Sequence, residues 1–286
     1  MLLAPVDYYR PDSLAESLEA LADDVVARPL AGGQSLISLL KLRALSVDLL
    51  VDISRLAELR FIDAGDDGSV EIGAGVTYDE VARSDTLRQH HPKLCNVASF
   101  TVDAQVRNRG TFGGNLCHND PINDFPPLAV ALDATFHLAS RDGSRDLGAE
   151  EFFTGYFTTA VEPNELLRSV TIPPLGDGYR VGYYDVEIGE AAARAVAVVK
   201  TEDGEIADSR VVLGCLPTPM RRRDVEAALH GSPATADAVA QATASAADGL
   251  DFLSDADASA DYRRAVAPVV AKRAVMQAIE QGEDRG

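Results

Sequence analysis

Between positions 107 and 127 the chain reads RNRGTFGGNLCHNDPINDFPP, residue types that grip a ligand rather than attack one. The Gly113-Gly114 pair lets main chain come close to a ligand, since no Cβ intervenes and positive φ carries no penalty. Successive N–H groups in such a turn make a concave nest for an anion, to which Thr111 adds a hydroxyl. Asp120, Asn123 and Asp124 then set carboxylates and an amide on a segment stiffened by prolines, a pattern suited to polyol hydroxyls. A second diglycine lies in AGGQSL at 31–36, after a short apolar run and before an apolar, helix-like segment. A glycine turn there aims backbone donors and the positive helix end at a phosphate. It has no Gly-Lys-Ser/Thr of a P-loop and is not GxGxxG. Two such segments suit a pyrophosphate held from both sides, and so a nucleotide-type cofactor. The same letters also fit plain loops joining strands.

No nucleophile–base pair and no metal-ligand cluster stands out, so neither a catalytic residue nor a metal ligand is assigned. Cys117 reads as a small packing residue and His118 as a polar loop histidine. His90-His91, before Pro92, reads as a solvated loop. Arg221-Arg222-Arg223 starts a helix or meets acidic surface, with a partner subunit as the other possibility.

The elements that must position these segments follow from periodicity and turn letters. A helix is expected over 13–22, strands over 25–30 and 49–53, and a helical turn over 54–59, making a small α/β lobe. Strands at 61–62 and 70–72, helices at 77–84 and 92–100, and strands at 135–139 and 166–172 make a larger α+β lobe. A boundary is expected at Gly176-Asp177-Gly178. Beyond it come three antiparallel strands, near 179–188, 195–200 and 206–215, with helices over 222–229, 235–246 and 260–281. The fold class is α+β, with a two-lobed domain over 1–175 (lobes about 1–56 and 57–175) and a C-terminal domain over 178–286.

Composition limits the partners. Asp and Glu number 45 against 26 basic residues, for a net charge of −19, and only four of the basic residues are lysine. Nothing here would neutralise a nucleic-acid backbone. An acidic, lysine-poor surface stays hydrated in strong salt, which suggests a halophilic cytoplasm, against an ordinary acidic protein as the alternative. Three cysteines without CxxC spacing suggest free thiols in a reducing compartment. No apolar run reaches about 18 residues, so no transmembrane helix is expected. MLLAPVDYYRPDS has neither the basic flank nor the apolar core of a secretory signal.

AGGQSL at 31–36, KLR at 41–43, IGAGVTYDEV at 72–81, QVRNRGTFGGNLCHNDPINDFPP at 105–127, EFFTGYFTT at 151–159 and ELLRSVTIP at 165–173 occur in this order. With the tail YRRAVAPVVAKRAV at 262–275, they resemble the FAD-binding medium subunit of molybdenum hydroxylases, the group of carbon monoxide dehydrogenases and the flavin domain of xanthine dehydrogenases. The likeness spans nearly the whole chain. It implies that 1–175 is an FAD-binding domain, with Gly32, Gly33, Gln34, Ser35, Thr111, Gly113, Gly114 and Asn115 on the pyrophosphate. Pro29, Leu30, Ala31 and Leu36 would line the groove, Asp124 would bond flavin or ribose hydroxyls, and Leu167 would lie against the rings. A flavin brings its own redox centre, which accounts for the missing catalytic residues. The implied role is electron transfer within a three-part enzyme. A large subunit would hold molybdopterin and a small one two [2Fe–2S] clusters, and NAD⁺, a quinone or oxygen would be the final acceptor. The hydroxylated substrate would bind in another chain. Two departures stand out: relatives often carry histidine or glutamate around Gln34-Ser35, and a basic residue around 183–190, where this chain has YYDVEIGE. A stand-alone flavin oxidase or reductase, or an assembly module without FAD, are the rival readings.

Overall fold

The structure, a computed structural model, describes residues 3–23 and 26–283. Val25, where the second expected element was to begin, lies outside the described residues. The chain divides into two compact units. The first is Met1–His118, Ala134–Thr154 and Thr158–Pro174; the second is Asn119–Asp133, Gly155–Phe157 and Leu175–Gly286. The stretch Asn119–Asp133, inside the expected 1–175 domain by chain order, therefore folds with the C-terminal half.

The first unit opens with β1 (Asp7–Tyr9), α1 (Leu14–Asp23), β2 (Ala27–Leu30), α2 (Leu36–Lys41) and β3 (Leu49–Asp52). The three strands are parallel in the order β1-β3-β2, with Leu30 level with Asp52. Leu18 and Leu21 of α1, on one helical face, bury against Val51 and Ile53. Strand β1 has no buried residue, so no hydrophobic alternation announced it.

Next come β4 (Ile62–Ala64), β5 (Val70–Gly73), α3 (Tyr78–Arg83), α4 (Asp85–His90), α5 (Pro92–Phe100), α6 (Ala104–Arg107) and α7 (Phe112–His118). The chain passes into the second unit for α8 (Phe125–Ala131). It returns for β6 (Thr135–Ser140), β7 (Gly143–Gly148), α9 (Ala149–Phe152), the short pair β8 (Phe153–Gly155) and β9 (Thr158–Thr159), and β10 (Glu165–Ile172). An antiparallel sheet of order β4-β5-β10-β6-β7 is the frame of this lobe. Helix α3 starts where its letters say: the Thr77 hydroxyl accepts from the Glu80 N–H, and the Glu80 carboxylate accepts from the Thr77 N–H at 2.8 Å.

One expectation fails here. His91 is not in a solvated loop but is 3 % exposed, ahead of α5, with no hydrogen-bond partner on Nε2 among the described residues. Burial first, and the neighbouring His90 charge second, lower its pKa to about 4. In the unfolded chain it titrates near about 6.5. As pH falls, the unfolded state therefore takes up the proton first. The stability from neutral His91 is full above about pH 6.5 and is lost toward about pH 4, by up to about 3 kcal/mol. His91→Gln should flatten that part of the urea-stability profile; equal slopes in the two chains would contradict this.

The second unit contains α8, then β11 (Tyr179–Ile188), β12 (Glu190–Glu202), β13 (Glu205–Gly214), β14 (Met220–Arg221), α10 (Arg223–Leu229), α11 (Ala236–Ala242) and α12 (Ala260–Glu283). The sheet has four strands rather than the expected three, because two residues at 220–221 pair with β13. Asp203 and Gly204, both at positive φ, turn β12 into β13 as the Glu-Asp-Gly letters imply. Ala193, Ala195, Ala197 and Val199 share one core cluster with Val270, Ala271, Ala274 and Val275 of α12. The alternate residues of β12, including Arg194, point to the opposite face. Arg222, central in the arginine run, is buried and donates to the carbonyls of Ser245 and Asp248 at 3.1 and 2.9 Å.

Candidate functional site

The carboxyl end of β2 delivers the first glycine segment, at the edge of a parallel sheet where ligand-binding loops commonly sit. Pro29, Leu30, Ala31, Gly32, Gly33, Ser35 and Leu36 are half-buried and Gln34 is exposed. Gly33 holds φ +72°, a conformation most side chains resist. The backbone N–H groups of Gly32, Gly33, Gln34 and Ser35 take no acceptor among the described residues. Four consecutive donors around a left-handed glycine have the form of an anion nest.

The second glycine segment corrects the expectation of a loop. Gly113 and Gly114 lie in the first turn of α7. Their donors are already engaged: Phe112 N–H to Val76 O at 2.8 Å, Gly113 N–H to Ala74 O at 3.0 Å and Gly114 N–H to Thr111 Oγ1 at 3.0 Å. Gly113 is needed for packing, since a Cβ there would sit 2.4 Å from the Ala74 Cβ. Gly114 is exposed, whereas Thr111 and Asn115 are buried. The Thr111 hydroxyl accepts a bond and keeps its own proton to donate. Asn115 Nδ2 donates to the Tyr78 hydroxyl at 2.9 Å, which locks α7 to α3.

These two segments, remote in sequence, lie side by side. A Cβ on Gly32 would stand 2.1 Å from Arg109 O and 2.9 Å from Gly110 Cα. Leu167 belongs to the same unit, 4 % exposed in β10 beside an irregularity of register between Leu167 and Ser169. There the Arg168 carbonyl accepts the Ala74 N–H at 2.9 Å. Ala74 therefore links the bulge to α7, a role that IGAGVTYDEV signalled only by its small residues.

Asp124 belongs to the second unit and is 8 % exposed. Its Oδ1 accepts from Tyr183 OH at 2.5 Å and pairs with Arg194 Nη2 at 2.7 Å. The same Nη2 lies 3.3 Å from Asp185 Oδ2, and Nη1 donates to the carbonyls of Ile122 and Asn123 at 2.6 and 2.9 Å. Burial opposes the guanidinium charge, but Asp124, Tyr183 and Asp185 outweigh it, so the Arg194 pKa is raised. Burial, with Asp124 and Asp185 opposing a phenolate, raises that of Tyr183 and keeps it a donor. Arg194 was not singled out from the sequence. Its signal was there, as the one charge inside the apolar run AAARAVAVV. It is carried on the strand after 183–190, with its guanidinium 5.6 Å over the Tyr183 ring. Burial pushes the Cys117 thiol up to about 12, so it stays a thiol at neutral pH.

Residues 4–175 match the family described as the FAD binding domain in molybdopterin dehydrogenase, and 187–278 the CO dehydrogenase flavoprotein C-terminal domain. The glyceraldehyde dehydrogenase medium chain of Sulfolobus acidocaldarius is 37 % identical, over 93 % of this chain and 96 % of its own. The carbon monoxide dehydrogenase medium chain of Afipia carboxidovorans is 36 % identical, over 97 % and 98 %. Among solved structures, a carbon monoxide dehydrogenase from Hydrogenophaga pseudoflava superposes with a TM-score of 0.94 at 33 % identity, over 98 % of this chain and 99 % of that one.

Proposed function

Because this chain belongs to the FAD-binding medium subunits of molybdenum hydroxylases of the carbon monoxide and xanthine dehydrogenase type, we propose that it is the electron-transfer member of a three-part enzyme. A small subunit with [2Fe–2S] clusters would deliver the electrons, after a large molybdopterin subunit has oxidised the substrate. NAD⁺, a quinone or oxygen would receive them. When bound, FAD supplies a centre that exchanges electrons both singly and in pairs.

The observation that carries this reading is the contact of Gly32 with the Arg109–Gly110 main chain, where any side chain would fill the gap. The open donors of 32–35 suit a diphosphate, with Thr111, Gly114 and Asn115 on the neighbouring segment. Gly113 would act indirectly, by seating α7 on Ala74. Pro29, Leu30, Ala31 and Leu36 are proposed as the flanking apolar wall, and Leu167 as a contact for the rings. Asp124 is proposed as an acceptor for cofactor hydroxyls. No helix among the described residues is long and apolar enough to cross a membrane. A reducing cytoplasm suits the three free cysteines.

Adding FAD to flavin-free chain should give a bound, non-covalent flavin spectrum at about one FAD per chain. A preparation that never takes up flavin would overturn the proposal. Purified from its host, the chain should bring with it subunits containing molybdenum and iron. A flavin-loaded chain that is isolated alone and oxidises a substrate by itself would favour the stand-alone oxidase.

A further inference from the structure

The 121–127 segment is held in place by β12 and the end of β13, seventy or more positions away. Pro121 O accepts the Cys215 N–H at 3.1 Å, and a Cβ on Gly214 would lie 3.2 Å from Pro127 Cγ. Between those two anchors the Arg194 side chain reaches three consecutive residues. Arg194 Nη1 takes two consecutive carbonyls, of Ile122 and Asn123, while Nη2 takes the carboxylate of the residue that follows. Gly214 stands opposite Arg194 in the β12–β13 register, so the small residue leaves room for this approach.

Resting on the reading of Asp124 as a cofactor contact, we propose that Arg194 is the positioning residue of that contact: its fork sets the conformation of the 122–124 turn and fixes Asp124 Oδ1. The chemistry supports the choice of residue. A planar guanidinium spans two carbonyls and a carboxylate at once, whereas an ammonium is a point donor that keeps the charge and loses the geometry. The side chain is 3 % exposed, so water does not substitute for lost bonds. The charges also constrain the site. Asp124 and Asp185 share this one cation, and Tyr183 OH reaches both, at 2.5 and 3.4 Å. With Arg194 gone, the two carboxylates would lose the cation that bridges them. Arg194 thus holds Asp124 Oδ1 in one orientation.

The test uses the full chain carrying Arg194→Lys, which retains the charge, with Arg194→Met as the charge-free comparison. Three quantities are measured: the FAD dissociation constant, the bound-flavin absorbance spectrum, and amide hydrogen exchange of the flavin-free chain. Arg194→Lys should weaken FAD about 10-fold, and Arg194→Met about 100-fold or more, so that lysine rescues part of the loss. The exchange of 119–127 should rise while β11, β12 and β13 keep their protection. The effects of Arg194→Lys and Asp124→Asn should not add, because one acts through the other. Wild-type affinity in a folded Arg194→Lys chain would overturn the inference, as would additive effects or a loss of protection across the whole sheet. Two unfolded variants would overturn it as well, by making Arg194 a general support of the fold. A wild-type chain that takes up no FAD would instead sink the reading beneath it.

Discussion

Gly32→Ala is expected to raise the FAD dissociation constant about 100-fold, or nearly 3 kcal/mol, while the second unit stays folded. The added methyl would lie 2.1 Å from Arg109 O and 2.9 Å from both Arg109 C and Gly110 Cα. Those are main-chain atoms, with no rotamer to change, so the two segments must part. Relief requires a shift of about 1 Å, enough to misdirect donors that must converge on one anion, and displacements of that size cost on the order of 100-fold. Fluorescence titration of flavin-free chain measures the effect. Gly148→Ala is the control: a Cβ there meets only Glu151 Oε2, at 3.7 Å, and its φ is −68°. Equal FAD affinity in Gly32→Ala and Gly148→Ala would show that the close approach of the two segments is not what binds the cofactor.

Gly182→Val should lower the thermal midpoint by roughly 10 °C, corresponding to a loss of about 3 kcal/mol. Gly182 lies in β11, and a Cβ there would fall 1.8 Å from Ala274 O and 2.9 Å from Ala278 N, both main-chain atoms of α12. Strand and helix meet across alanines at 193, 195, 197, 271 and 274, which is what permits so close a packing. Because the obstacle is a carbonyl, Ala274→Gly in the same chain should not restore stability. A melt within a degree or two of wild type, or rescue by Ala274→Gly, would show that the helix shifts at little cost.

Much of this protein can be read locally. Positive φ at Gly33 and Gly204 follows from residue type, and the Thr77–Glu80 capping box starts α3 from four adjacent letters. These features are legible because the free energies that produce them act over a few residues. Ordered motifs spread along the chain were likewise enough to indicate its family.

Tertiary structure decided what depends on a distant partner. Gly113 reads as a flexible turn residue until Ala74 is seen against it, and it then proves to be the packing point of a helix. His91 reads as solvated beside His90 and Pro92 until the fold buries it against the Ile172 backbone of β10. Asn119–Asp133 counts with the first half by order and with the second by contact. A charge within AAARAVAVV announces that something must neutralise it, but the letters do not name Ile122, Asn123 and Asp124, some seventy positions away. The composition of a chain specifies which groups need partners. Only its folding, by choosing among many chemically equivalent acceptors, determines which ones they find.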